Sequence, residues 1–574
     1  MNIFKNFLKE IKSLILKNKT FLGLEDLNNF AGVTIESPPS KFNFDLSCNV
    51  ILILAKRNKL DPKDLAEKIK NLVIKDFKQV SNIEIAGPGF LNIKLTNESI
   101  QSIILSILKN KELYGSSNNN KKYNIEFVSA NPTGPMHVGH CRGAIFGDVL
   151  ANLLKFNGNT VTKEYYINDY GNQIISFTKS VFLRIREIKY NEKFVNEKDL
   201  YPGEYIVEIA KNIINNNIEL NFENFDESFQ VLKKESLNHS MIMIKNDLKK
   251  LGIHHDVFFS ETDLVDKDLV NKAVESLKAK NYAVEGYLAP PKGEKIRNWK
   301  KTKRLIFKST LFGDDTDRAL QKNDGTWTYF ANDVAYHMDK VSRNYDHLIN
   351  ILGADHTGYI KRITAAVNAL SENKTKLDCK VCQLVKLYKN GIPFKMSKRA
   401  GDFISANDLL NEVDKDSIRF MMLNRSNDVE LDFDFSKVLE KNKENPVFYV
   451  QYCFARISSV FRSLNVNLND DISLDNKNFN LNIYEINILR KIFDWSKVVE
   501  TASNKYEPHR IPFYLYELAT LFHSYWSKGN EDEKYKFISN GKIKSVNTLA
   551  IIKIVAIVIR NGMKIIGVSL PKSM

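Results

Sequence analysis

The apolar positions of this chain recur with different periods in different stretches. MNIFKNFLKEIKSLILKNK, at the start, places apolar side chains at helical spacing between lysines, which predicts an amphipathic first helix. DPKDLAEKIKNLVI predicts a second, with Asp61 as candidate N-cap and Pro62 at the first helical position. NIEIAGPGFLNIKL alternates like two short strands around a Pro-Gly turn. Residues 1–115 therefore read as a small α+β domain, closed by the polar linker GSSNNNKK, Gly115 to Lys122.

The pattern then changes. YNIEFVSA, Tyr123 to Ala130, reads as a buried strand, and NPTGP breaks it. In MHVGHCRGAIFGDVLANLLKFNG, residues Val138, Cys141, Ile145, Val149 and Leu153 fall on one helical stripe, with Gly158 just past the expected end. VTKEYYIND follows as a second strand. Strand, loop, helix, strand is a βαβ unit, the seed of a Rossmann-type doubly wound parallel sheet, and the fold class is α/β. Polar helical patterns run from about Gly171 to Leu251. Strand-like patterns occupy Tyr282 to Phe330, and DHLINILGADH reads as another buried strand. This central domain spans 122–436. From 437 to 574 the pattern is helical throughout, which predicts a C-terminal all-α helical bundle domain.

With 574 residues the chain is too long for one core. Its 43% hydrophobic and 26% charged residues fit a soluble globular protein. No apolar run is long enough to span a bilayer, and the first helix lacks the h-region and cleavage site of a signal peptide. No membrane partner is expected. The net charge of +15 favours a polyanionic partner, although a general lysine bias explains it equally well. Among five cysteines only Cys379 and Cys382 form a CxxC, and no second ligand pair completes a zinc site. They read as thiols in a reducing cytosol, so no structural metal is expected. His254 and His255 likewise read as structural.

The candidate chemistry starts at His137 and His140. Three residues apart in the first helical turn, they share a face. Backbone N–H groups there lack acceptors and the dipole is positive, so a phosphate is favoured, and imidazole N–H groups can donate to phosphoryl oxygens. Gly139 leaves room for a base or ribose. Taken alone, the stretch fits two core histidines or half a metal site equally well. GIPFKMSKRAGD, Gly391 to Asp402, adds Lys395 and Lys398 around Ser397, ammonium groups suited to β- and γ-phosphates.

HVGH and KMSKR together resemble the two signature motifs of class I aminoacyl-tRNA synthetases. AGPGFLNIKL, EFVSANPTGPMHVGHCRGAIFGD, EYYINDYGNQI, YPGEY, DGTWTYFANDVAYH, FKMSKRAG and NPVFYVQYCFARI narrow the resemblance to arginyl-tRNA synthetases over nearly the whole chain. NPTGP with HxGH is also similar to the glutamyl enzymes. The resemblance implies ATP as substrate with Mg²⁺, contacted by Pro132, Gly134, His137, Gly139, His140, Lys395, Met396, Ser397 and Lys398. His137, His140, Lys395 and Lys398 would be catalytic. It implies an L-arginine pocket of Glu126, Ser129, Asn131, Tyr329 and Asp333, whose carboxylates suit a guanidinium fork.

The resemblance further implies arginyl-adenylate formation, transfer to the terminal adenosine of tRNA(Arg) through its 2′-hydroxyl, and a need for tRNA before the first step. Phe90 and Asn92 would contact the tRNA elbow, and Tyr449 and Arg456 the anticodon. It implies a cytoplasmic monomer. Thr357, Asp402 and Phe454 depart from the family's usual His, Thr and His, while Asp355 and His356 are candidates for a substrate or ribose contact. The competing classes are a small-molecule nucleotidyltransferase, a non-catalytic tRNA-binding relative and a structural interaction protein. The first needs neither flanking domains nor a distant KMSKR. The second should have lost a signature residue, and the third leaves the paired motifs unexplained.

Overall fold

The computed structural model of the chain describes residues 2–39, 42–216, 221–288, 302–394 and 404–574. They divide into two compact units. One comprises Met1–Ser117, Lys441–Tyr506 and Arg510–Met574, the other Asn118–Glu440 and Glu507–His509.

In the first unit the Ile3–Lys17 helix is capped by the Asn2 side chain, which accepts the Lys5 N–H, and it buries Phe4, Phe7, Ile11 and Leu14. Asp61 caps the Pro62–Asp76 helix through the Lys63 N–H, and Pro62 stands where no N–H is required. The Val80–Ala86 and Phe90–Leu95 strands form the expected hairpin, in a four-stranded antiparallel sheet with Leu46–Cys48 and Ile35–Glu36. The C-terminal part supplies the Pro446–Ser463, Ile483–Lys505, Arg510–Glu531 and Val546–Ile566 helices. The last is apolar nearly all round and is the central helix of the bundle, touching each of the other three. No described helix is long and apolar enough to cross a membrane. The Trp495 indole N–H donates to the Tyr114 carbonyl at 2.9 Å, and the Tyr114 hydroxyl to the Ile492 carbonyl at 3.0 Å. Both ends of the chain thus share one core.

The second unit is built on five parallel strands. Their order is Lys376–Cys382, His347–Gly353, Lys122–Glu126, Thr160–Ile167, Val257–Ser260. The chain runs outward from Lys122–Glu126 in one direction and returns on the other side at His347–Gly353. The strand order reverses between those two, and ligands of doubly wound sheets bind outside the carboxyl ends at such a point. The first strand is shorter than expected. It stops at Glu126 because Val128 and Ser129 take φ of 71° and 39°. A β-branched residue there is strained, which turns the chain out of the sheet directly above the switch point.

The connective insertion is three helices, Asn172–Tyr190, Glu204–Asn216 and Phe225–Lys250, around a core of Phe177, Ile185, Ile206, Ile209 and Leu232. The strand-like stretch that follows is a three-stranded antiparallel sheet, Ala283–Gly286, Arg304–Phe307 and Arg318–Ala319. A last small sheet joins Val385–Lys389 to Ile392–Pro393 and Leu431–Asp434.

Candidate active site

His137 is the N-cap of the Val138–Phe156 helix. Its Nδ1 accepts the Gly139 N–H at 3.1 Å, and His140 Nδ1 accepts the His137 N–H at 3.3 Å. This is a capping box in which two imidazoles do the work usually given to a hydroxyl and a carboxylate. The rings stack with centroids 3.6 Å apart. A nitrogen that accepts carries no proton, so in each neutral ring the N–H is Nε2. Burial holds both groups below the ordinary imidazole range, His140 down to about 3 with His137's charge adding to the shift. The pair is therefore two neutral donors at the positive end of a helix dipole. A Cβ on Gly139 would come within 2.9 Å of the His137 ring. The glycine first of all admits the capping imidazole, a role its spacing did not disclose.

The NPTGP turn is held from behind. Pro132 and Gly134 are buried, and a Cβ on Gly134 would meet the Tyr205 ring at 2.9 Å. Tyr205 belongs to YPGEY, so the connective insertion supports the turn that leads to the histidines. Arg142, in the following helical turn, is buried and donates to the carbonyls of Gln383, Val429 and Ser426 at 2.7–2.9 Å. Lys395, Met396, Ser397, Lys398 and Asp402 lie outside the described residues. The chain is described again from Ile404, and Ser405 forms an antiparallel bridge with His137.

A second cluster sits at the carboxyl ends of the central strands. Thr328 caps the Tyr329–Ser342 helix, and Tyr329, Asp333, Tyr336 and Lys340 follow one another along a single face. Tyr329 is 69% exposed. Asp333 bonds the Tyr359 hydroxyl. Desolvation pushes its carboxyl up to about 7, and the negative charges of Glu261 and Glu126 push the same way, against Tyr359 and Arg362. Glu126 is already paired: Oε2 meets Lys340 Nζ at 2.5 Å and Oε1 accepts from Ser129 Oγ at 3.1 Å. Ser129 Oγ in turn accepts the Tyr166 N–H at 3.1 Å. Asn131 is exposed, donating to Gln173 and accepting from Asn168.

Sequence reasoning missed part of this cluster. Burial raises the Tyr166 hydroxyl far above its usual range, and Glu261, Asp333, Glu126 and Asp169 all add to that shift. Glu261 is buried, accepts from Asn332 at 3.1 Å, and is itself raised by desolvation and by Asp169. Three carboxylates thus converge with Asp333 on one tyrosine. Each lies on a separate segment with no shared period, so only the fold brings them together. The signal was the pair EYYIND and SETD, neither of which spaces its acids like a motif.

The remaining candidates are dispersed. Asp355 and His356 pair at 3.4 Å on an exposed turn after the His347–Gly353 strand, where the Thr357 hydroxyl donates to the Ala354 carbonyl at 2.8 Å. In the other unit, Phe90 is 38% exposed beside a cavity of about 590 Å³ that Asn92 also lines. Asn92 itself is 2% exposed and accepts from Ser47. Tyr449 is half-buried, tilted against His523 and Tyr516. Arg456 donates to His523 Nδ1 at 2.9 Å and lies over the Tyr452 and Trp526 rings. Phe454 is core. Cys379 and Cys382 are thiols that burial pushes up to about 12, and His255 packs among Phe127, Tyr165 and Phe258.

Three family models match the chain. "Arginyl tRNA synthetase N terminal domain" covers residues 3–95, "tRNA synthetases class I (R), catalytic domain" 103–449, and "DALR anticodon binding domain" 450–574. The chain is 54% identical to the arginine–tRNA ligase of Pelagibacter ubique, across 100% of both chains. It is 43% identical to that of Bartonella bacilliformis, again across 100% of both. Among solved structures, Thermus thermophilus arginyl-tRNA synthetase shares the fold with TM-score 0.70 at 19% identity, covering 96% of this chain and 98% of that one.

Proposed function

The chain belongs to the arginyl-tRNA synthetase family, and from that membership we infer which of its residues carry the reaction. The reaction is the ATP-dependent charging of tRNA(Arg) with arginine. An arginine carboxylate is ionised at neutral pH, so its attack on the ATP α-phosphorus needs no general base. Catalysis is positioning plus charge stabilisation. His137 and His140 donate their Nε2–H groups to the α-phosphoryl oxygens as charge builds there. Lys395 and Lys398 hold the β- and γ-phosphates, to which Mg²⁺ comes bound as part of the substrate. Pyrophosphate leaves and arginyl-adenylate remains. The 2′-hydroxyl of the terminal adenosine then attacks the activated carbonyl, and AMP leaves.

In this reading Asp333, Glu126 and Glu261 set the negative field that selects a guanidinium, and Tyr329 adds a hydroxyl. Ser129 and Asn131 orient the α-ammonium and carboxylate. Phe90 and Asn92 contact the tRNA elbow, and Tyr449 and Arg456 the anticodon. The enzyme acts as a cytoplasmic monomer and requires tRNA before the first step. The observation that carries the reading is the stacked histidine pair at a helix N-terminus. ATP–pyrophosphate exchange with each of the twenty amino acids, with and without total tRNA, tests it. Exchange with arginine alone, and only with tRNA, is the expected result. Equal exchange without tRNA removes the tRNA requirement, and exchange with another amino acid removes the pocket assignment.

A further inference from the structure

Lys340 is wholly buried. Its Nζ meets Glu126 Oε2 at 2.5 Å and Asn350 Oδ1 at 3.2 Å, and lies 4.4 Å from the centre of the Tyr336 ring. Each contact leads to the pocket. Beyond Glu126 lies Ser129, and beyond Ser129 the Tyr166 backbone. On the other side Asn350 Nδ2 donates to His337 Nε2 at 3.0 Å, and His337 Nδ1 donates to the Asp333 carbonyl at 2.8 Å. One ammonium thus joins the end of the central strand to the helical turn that presents Asp333. A buried ion pair is retained against its desolvation cost only with good geometry and further hydrogen bonds, and this one has both.

We propose that Lys340 is a positioning residue for arginine binding: its ammonium holds Glu126 and, through Asn350 and His337, the Asp333 turn in the geometry that receives the guanidinium. The proposal rests on the reading of Glu126 and Asp333 as pocket residues. It assigns Lys340 no contact with substrate. Its effect is on the arginine KM, with ATP binding at the histidine turn left intact.

The test is a double-mutant cycle of K340M, E126Q and the pair, measured as the KM for arginine and for ATP in tRNA-supported pyrophosphate exchange, alongside the thermal midpoint. Each single variant should raise the arginine KM about tenfold or more and the ATP KM less than about twofold. The double variant, which removes both charges, should be no worse than the worse single, since coupled residues are not additive. An unchanged arginine KM in K340M overturns the proposal. So does a parallel rise of both KM values, which general loosening produces, or a multiplied effect in the pair. Should K340M fail to fold, E126Q and the double variant decide: equal arginine KM values support the coupling, and a further tenfold rise in the double overturns it. If E126Q leaves the arginine KM unchanged, the pocket reading itself falls.

Discussion

The backbone N–H of Val138 donates to the carbonyl oxygen of Ile404 across 2.9 Å, and the Ala406 N–H returns to the Met136 carbonyl at 2.7 Å. Met136 and Val138, the residues immediately before and after His137, are thereby stitched to residues that follow position 403. The turn that carries the first histidine is thus joined to Ile404 and Ala406, more than two hundred positions away in the sequence, through backbone, not side chains. Ala406 is the first residue of the Ala406–Glu412 helix, where proline is tolerated, and Ser405 before it has φ −76° and ψ 160°, compatible with a following proline. Ala406→Pro should therefore keep the helix but delete the bond to Met136. The expected loss in the exchange rate is roughly tenfold, the value of about one hydrogen bond, with a thermal midpoint close to wild type. Ala406→Ser, which keeps the N–H, is the control. Equal rates in the two variants count against the bridge.

His140 carries a pH prediction as well as a rate prediction. His140→Gln should lower the exchange rate by about 10²–10³-fold, as loss of one transition-state donor does, with tRNA affinity unchanged. The folded-state value near 3 lies below the unfolded value of 6.5. The unfolded chain therefore takes up a proton that the folded chain refuses. The associated stability is complete above 6.5 and declines as pH falls toward 3. Urea midpoints at pH 7 and pH 5 should differ less in His140→Gln than in wild type, and an identical acid dependence contradicts the assignment.

Much of this was legible in the chain. Asp61 and Pro62 announced a helix start because capping is local chemistry. The Val138–Phe156 helix followed from its stripe, and the sheet class from strand, helix, strand. The end of the first strand was not legible, because Phe127 and Val128 look like strand residues and only the tertiary turn forces φ positive at Val128. Nor was the use of the histidines as their own cap, since His is a poor statistical cap and the geometry depends on ring stacking. The acidic cluster was half read. Glu126 and Asp333 stand in stretches picked out by the family resemblance, whereas Glu261 and Asp169 converge on Tyr166 only after the connective insertion has folded. The Lys340 ion pair was missed because a lysine in a helical stripe ordinarily faces water.

Phe90 and Asn92 should behave differently although they are two apart on one strand. Phe90 offers an exposed ring suited to stacking on an unpaired base, worth about 1–3 kcal/mol. Phe90→Ala should raise the KM for tRNA by roughly ten- to a hundredfold at constant KM for arginine and constant thermal midpoint. Asn92→Ala removes a buried partner of Ser47 and should lower the thermal midpoint measurably. If Phe90→Ala leaves aminoacylation kinetics at limiting tRNA untouched, the elbow assignment is wrong.

The central claim is that a carboxylate cluster around Asp333 reads the guanidinium, and the arginine KM measured against pH tests it most directly. Asp333 titrates near 7 because burial and neighbouring acids disfavour its charge, so below that pH protons and arginine compete for one carboxylate. The arginine KM should fall as pH rises from about 6 to 8, by up to about tenfold per unit below the midpoint, and then level. Raising an acid's pKa also costs the folded state stability as pH climbs from 3.8 through 7, so arginine should raise the thermal midpoint more at pH 8 than at pH 6. Asp333→Asn should have a high arginine KM with no such slope and an ATP KM near wild type. A wild-type arginine KM that is flat from pH 6 to 8, or an Asp333→Asn variant that loses ATP and arginine equally, contradicts the account.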